Sequence, residues 1–225
     1  MAELRFSIII PVLNEAAEIT ELLQHLQGWR EQAEIIVVDG GSSDGSEQLA
    51  ADLCDSVVRS ERGRARQMNA GALLAKGEYL LFLHGDTRLL ATADNFFAGA
   101  QGAPQWGFCR MRLSGADWRF RMIETAMNLR SRLTRIATGD QCLFVSRQAW
   151  HNCGGFADIP LMEDIELSKR LRRLYPPHFV VAGVLSSSRR WEQRGIWSTI
   201  VTMWRLRLAY WAGAAPERLH RSYYG

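Results

Sequence analysis

At 225 residues and 47% apolar content, the chain can bury one substantial core, and its length fits one large domain better than several. A net charge of +3 with both signs interspersed is too mild to argue for a nucleic-acid partner. Cys54, Cys109, Cys142 and Cys153 are scattered, with neither zinc-ligand spacing nor a disulfide framework, and no signal peptide or uncharged span of about eighteen apolar residues is read. A reducing cytoplasmic compartment is the expectation.

Residues 6–11 are an isoleucine-rich run broken only by Ser7, the pattern of a strand buried on both faces. Asn14 and Glu15 then open an amphipathic stretch through Leu22, Leu23 and Leu26. Residues 34–38 give a second buried strand, and Ser43 is placed to cap a helix running toward Leu53. Val57 and Val58 mark a short third strand, residues 64–76 a helix stopped by Gly77, and residues 79–83 a fourth buried strand. Farther on, residues 106–113 alternate like a strand and 118–136 read as a basic helix. Residues 142–146 form a strand, 163–174 a helix and 179–184 a short strand, and a tryptophan-rich helix covers about 195–213. Buried strands separated by helices predict an α/β fold, with a mostly parallel Rossmann-like sheet and helices on both faces.

In such sheets ligands bind beyond the carboxyl ends of the strands, and the chemistry-bearing residues fall there. The first strand ends in Pro-Val-Leu-Asn-Glu (11–15), the second in Asp-Gly-Gly-Ser-Ser-Asp-Gly (39–45), and the fourth in His-Gly-Asp-Thr (84–87). Glu15, Asp39, Asp44 and Asp86 thus line one rim. A carboxylate cluster repels itself and repels a diphosphate; a divalent cation resolves both, and oxygen ligands suit Mg²⁺ or Mn²⁺. Asp44, just before Gly45, reads equally well as a turn former.

The ordered set of motifs resembles family-2 glycosyltransferases of the GT-A fold. Ile-Ile-Ile-Pro-Val-Leu-Asn-Glu (8–15) is similar to that family's opening strand. Val-Val-Asp-Gly-Gly-Ser-Ser-Asp-Gly-Ser (37–46) resembles its nucleotide-binding turn, and Gly-Arg-Ala-Arg-Gln-Met-Asn-Ala-Gly (63–71) its helix over the donor. Leu-Phe-Leu-His-Gly-Asp-Thr (81–87) stands where the family carries its DXD metal motif, with His84 replacing the first acid. Gly-Gly-Phe (154–156), followed by Met-Glu-Asp-Ile-Glu-Leu-Ser-Lys-Arg-Leu (162–171), resembles the acceptor-side segment with the catalytic carboxylate. His84-Gly-Asp86-Thr and Ser-Arg-Arg-Trp (188–191) are similar to a small bacterial subgroup found beside selenium-related and radical enzymes.

The resemblance implies a metal-dependent, inverting, single-displacement transfer from a nucleotide-diphosphate sugar to an acceptor hydroxyl, a lipid-linked acceptor included. It implies donor contacts from Pro11, Asn14, Glu15, Asp39, Ser42, Asp44, Arg64, Gly85, Asp86 and Arg190, with Asp39 on the base and Arg189 a further candidate. Asp86 holds Mn²⁺ or Mg²⁺, with His84 as a second ligand or a donor to phosphate. Asp164, beside Glu163, is the general base; its place at a helix N-terminus is expected to favour the charged form and lower its basicity slightly. Gly139, Asp140, Gln141 and Trp191 belong to the acceptor side. The domain then spans 1–190, as a donor half 1–100 and an acceptor half 101–190, and 191–225 form a helical appendage.

Two other readings compete. A sugar nucleotidyltransferase needs a glycine-rich basic loop after the first strand, and residues 11–17 contain no glycine, lysine or arginine. A noncatalytic sugar-nucleotide-binding protein needs no base, so Asp86 together with Glu163 and Asp164 argues against it. In the last helix, Ile196, Trp197, Ile200, Val201, Trp204, Leu208 and Trp211 form a stripe flanked by Arg194, Arg205 and Arg207. Packing against the domain or a second subunit is its favoured reading, and peripheral contact with the inner face of a membrane the other.

Overall fold

A computed structural model describes residues 4–224, without the side chains of Arg190 and Arg194. Strand β1 (Phe6–Val12) is followed by α1 (Ala16–Leu26), β2 (Ala33–Asp39), α2 (Ser46–Ala51), β3 (Ser56–Arg59), α3 (Arg64–Leu74) and β4 (Tyr79–Phe82). Then come β5 (Thr87–Leu89), β6 (Trp106–Leu113), α4 (Trp118–Thr134), β7 (Leu143–Ser146), α5 (Arg147–Cys153), α6 (Glu163–Leu174) and β8 (His178–Ser186). Three helices follow: α7 (Arg189–Arg194), α8 (Ile196–Trp211) and α9 (Pro216–Tyr224).

The strands form one sheet in the order β3-β2-β1-β4-β7-β6-β8-β5. The pairs β1/β2, β1/β4, β2/β3 and β6/β8 are parallel; β4/β7, β6/β7 and β5/β8 are antiparallel. Alternation along the strands makes two cores. Ile8, Ile10, Ile35 and Val37 pack with Ile19, Leu22 and Leu23 of α1 and with Phe120 and Ile123 of α4. On the opposite face Ile9, Ile36 and Val38 pack with Ala65 and Met68 of α3, Trp150 of α5 and Leu167 and Leu171 of α6. The mostly parallel sheet with helices on both faces is as the periodicity predicts.

Two devices curl the sheet. Four inter-strand steps of about 4.8 Å separate β4 from β5 along the order, roughly the full stretch of the five-residue step from Phe82 to Thr87. That step is not extended: Thr87 N–H donates to His84 O at 3.1 Å, closing a turn. The far strands must therefore bend round to meet it. The β6/β8 ladder supplies the bend, because its register slips between Cys109 and Met111. Gly183 in that bulge has φ +80°, and a Cβ there would stand 2.4 Å from Arg110 O, so only glycine fits.

Two expectations need correction. Ser43 does not cap α2: the helix begins at Ser46, after Gly45 at φ 88°, and the Ser43 N–H is held by Asn14 Oδ1 at 2.9 Å. Five of the seven stripe residues of α8 do not pack against the domain. Ile196 and Ile200 pack inward and Thr199 and Leu206 are buried, whereas Trp197, Val201, Trp204, Leu208 and Trp211 are exposed. The far end of α8 and helix α9 share a small core with Ile136, Met162 and Ile165, through Leu206, Ala209, Tyr210 and Leu219. All four cysteines are free thiols.

Candidate active site

The loops after β1 and β2 are stitched together. Asn14, at φ 56°, donates its N–H to Ser42 Oγ at 2.9 Å, and Glu15 N–H donates to Ser46 Oγ at 2.9 Å. Asp44 accepts from Ala16 N–H at 2.9 Å, and from the Ser46 hydroxyl and N–H at 2.5 and 3.1 Å. The Ser46 hydroxyl and then the Ala16 amide hold its pKa below the usual carboxylate value. Both oxygens of Asp44 are thus committed to fastening the loops, the turn-forming role its sequence also allowed. Gln67 of α3 donates to Val12 O and Val38 O, both at 2.8 Å, and ties the ends of β1 and β2 to the helix above. Pro11, at the end of β1, is half-buried.

Asp39 closes β2 and is 2% exposed. Its Oδ2 accepts from Gly41 N–H and Ser42 N–H, both at 2.9 Å, while Oδ1 is buried without a hydrogen-bond partner. A buried carboxylate oxygen left open costs on the order of 1–3 kcal/mol and calls for an incoming donor.

The turn His84–Gly85–Asp86 lies beyond the carboxyl end of β4, next to the end of β1. Gly85 is packed against Glu15, whose Cγ would lie 3.4 Å from an added Cβ. Asp86 is partly exposed; Thr87 Oγ1 donates to its Oδ1 at 3.2 Å, and Ser187 N–H to its backbone oxygen at 3.1 Å, so the end of β8 pins it. The His84 ring lies against Gly139, where an added Cβ would stand 2.3 Å from Cε1.

On the other side of Gly139, α6 begins at Glu163, which is buried, and Asp164. Asp164 Oδ2 accepts from Gly139 N–H and Oδ1 from Ile165 N–H, both at 2.7 Å. Its pKa is pushed up to about 7, first by burial and next by the neighbouring Glu163 charge, with the two amides opposing. The expected lowering by the helix terminus is therefore overturned: desolvation beside a second carboxylate outweighs the dipole. Arg64, at the start of α3, faces Glu163, Asp164 and Asp86. Burial disfavours its charge, but these acids and Tyr224 hold its pKa above the ordinary arginine value.

The loop 138–141 completes the cluster. Asp140 is driven up by burial; Thr138 and Arg130 oppose the rise, and the Asp86 charge adds to it. Its Oδ1, Arg130 Nε and Gln141 Nε2 are all buried without partners. Gln141 Oε1 accepts from Ser131 Oγ at 2.8 Å and from Thr138 N–H and Oγ1 at 3.1 Å. Arg130, on α4, is the residue sequence reasoning missed. Burial pulls its pKa below the ordinary value against the pull of Asp140 and Asp164.

The structure thus gathers His84, Asp86, Gly139, Asp140, Glu163, Asp164 and Arg64. It does not gather every expected residue. Trp191 packs against the main core and lines a separate cleft with Asp117, Arg119 and Trp197. Arg189 is ion-paired to Glu18 of α1 at 2.5 Å. The side chain of Arg190 lies outside the described residues.

Residues 7–92 match the sequence model of Glycosyl transferase family 2. The chain is 25% identical to the β-monoglucosyldiacylglycerol synthase of Trichormus variabilis over 85% of its own length and 48% of that enzyme's, so it spans about half of that relative. Among solved structures, S. aureus TarS 1–349 in complex with UDP superposes with a TM-score of 0.66 at 19% identity, covering 82% of this chain and 60% of that one. The mannosyltransferase PcManGT of Pyrobaculum calidifontis, in complex with GDP-Man and Mn²⁺, gives 0.64 at 22% identity, covering 91% and 61%. The chain therefore has the GT-A glycosyltransferase fold, with a Glycosyl transferase family 2 sequence pattern over residues 7–92.

Proposed function

We propose that the chain is a metal-dependent, inverting glycosyltransferase that moves a sugar from a nucleotide diphosphate to an acceptor hydroxyl. The observation that carries this reading is Asp164, a carboxylate pushed up to about 7 and gathered with Asp86, Asp140 and Arg64 at the carboxyl ends of the strands. A general base serves best when its pKa lies near the working pH. Asp164 takes the acceptor proton as the hydroxyl attacks the anomeric carbon. Glu163 keeps Asp164 basic and holds Arg64 toward the site. Arg64 meets the diphosphate, and the open Asp39 Oδ1 accepts from the base or ribose.

The residues present fit a divalent cation. Among the described residues no three of His, Cys, Asp and Glu are close enough to hold a metal alone. One or two carboxylates with substrate phosphate and water are, however, the usual set for Mg²⁺, and the partly exposed Asp86 offers one such carboxylate. Asp86, with His84 beside it, would hold Mn²⁺ or Mg²⁺, which supplies Lewis-acid stabilisation of the leaving diphosphate. A cytoplasmic setting and membership of the subgroup marked by His84-Gly-Asp86-Thr complete the reading. Among the described residues no helix is long and apolar enough to cross a membrane.

A thermal-shift panel of nucleotide sugars with Mn²⁺, followed by transfer assays, tests the proposal: a specific donor raises apparent stability by mass action. No shift with any donor, or pyrophosphate release from a nucleoside triphosphate and a sugar phosphate, contradicts it. Asp39→Ala is expected to raise the donor KM more than it lowers kcat, the pattern of lost ground-state binding. A pure kcat defect would place Asp39 elsewhere. Arg130→Met removes a cation facing Asp140 and Asp164, so the acid limb of the rate–pH profile should move to higher pH. An unmoved limb would leave Arg130 a structural role only.

A further inference from the structure

Helices α4 and α8 each turn an apolar stripe outward. On α4 the buried side carries Phe120, Ile123, Glu124 and Ser131. Trp118, Met122, Leu129 and Leu133 are exposed and, at about 100° per residue, fall on one opposite face. On α8, Trp197, Val201, Trp204, Leu208 and Trp211 recur at alternating four- and three-residue steps, with Trp197 68% and Trp211 83% exposed. The helices adjoin at their N-terminal ends, where Arg119 and Phe120 line one cleft with Trp191, Ile196 and Trp197.

Charge selects the occupant. The single acid of α4, Glu124, is buried and bound to Leu113 N–H at 2.6 Å and to Arg121. Helix α8 has no acid at all, and Glu217 is the one acid of α9. Arg132, Arg135, Arg205, Arg218 and Arg221 are exposed on or next to these helices. A second copy of the chain would set cations against cations. An anionic lipid surface matches both features, since tryptophans settle at headgroup level and arginines pair with lipid phosphates. The helix that carries the stripe also reaches the site. On its inward side, away from the stripe, Ala209 and Tyr210 pack against the small core that holds Met162 and Ile165, the residues flanking Glu163 and Asp164.

We propose that the α4 and α8 faces seat the protein on an anionic bilayer surface, so that the acceptor hydroxyl reaches Asp164 from a membrane lipid. The acceptor part rests on the glycosyltransferase reading; the docking does not.

The test is sedimentation of the full chain with phosphatidylglycerol–phosphatidylcholine vesicles and with phosphatidylcholine alone. The comparison variant carries Trp197→Ser, Trp204→Ser and Trp211→Ser, exposed positions whose loss should spare the fold. Wild type is expected on anionic vesicles, weaker in high salt, and at least about tenfold weaker in the variant. Nucleoside-diphosphate binding without vesicles, measured by calorimetry, should be equal in both proteins. Absence of vesicle binding overturns the docking, as does a dimer in sedimentation velocity that the triple variant dissolves, and either leaves the donor reading intact. Vesicle binding without nucleotide binding sinks the glycosyltransferase reading and with it the acceptor claim. Transfer that goes equally well to a soluble glycoside and to a vesicle-borne lipid would overturn the delivery step alone.

Discussion

Asp164→Asn is expected to keep nucleotide-sugar binding and to lose transfer by ~10²–10⁴-fold, the usual contribution of a general base. The substitution preserves shape and one of the two acceptors that Gly139 and Ile165 now engage, so the loop 138–141 should stay in place. Calorimetry with donor checks binding, and transfer assays check chemistry. The wild-type profile gives a second readout. The active form is the carboxylate, and burial beside Glu163 raises its pKa from 3.8 to about 7. kcat/KM should therefore climb as pH rises through about 7 and level above it, where an unperturbed aspartate would place the limb near pH 4. A variant within a few-fold of wild type, or a flat profile between pH 5 and 8, would reduce Asp164 to a helix-end residue.

Why the sequence reveals some of this and hides the rest follows from the range of each interaction. Strands β1, β2 and β4 are buried on both faces, so their runs of Ile, Val and Leu are visible without partners. The bounds of β6 and α6 are likewise legible, since alternation and amphipathicity are local. Strand β5 is three residues whose only reason to be extended is Ser186, Leu185 and Val184 opposite, far along the chain. Helix α5 starts directly at the end of β7, where Ser146 accepts from Ala149 N–H at 3.1 Å, so no break separates strand from helix. Helices α7 and α9 are six and nine residues long, too short to show a clear periodicity of their own. The rim aspartates were legible because they end strands. Their division of labour was not: Asp44 and Asp39 differ only in which amides and hydroxyls the folded loops bring to them. Arg130 stands in a helix with three other arginines, and only the fold sets it beside Asp140 and Asp164. The motif points to Asp164, but the sign of its pKa shift is not legible, because helix position is written in the sequence and burial is not.

Asp86→Ala should abolish the cation dependence of nucleoside-diphosphate binding, with about a hundredfold loss of affinity in Mn²⁺, roughly 2.8 kcal/mol. The argument begins with geometry. Asp86 follows the end of β4 in a turn closed by Thr87 N–H and pinned by Ser187 N–H, so the backbone leaves its position little freedom. Asp86 and Asp140 are both partly exposed, but Asp140 faces Arg130, and desolvation raises its pKa above the ordinary carboxylate value. An arginine-compensated carboxylate is the poorer ligand for a hard cation, so Asp140 should not replace Asp86. Removing Asp86 also removes a negative charge felt by Asp140 and Arg64. Arg64 then has one acid fewer to balance, which should leave a residual, metal-independent affinity for diphosphate. Titrations of wild type and variant with Mn²⁺ and with chelator separate the cases. Wild type alone should respond to the cation, and the variant should bind weakly and identically in both buffers. A variant whose affinity still depends on Mn²⁺ as wild type does would move the cation to His84 and Asp140. Metal-free binding of equal strength in both proteins would remove the cation from the mechanism.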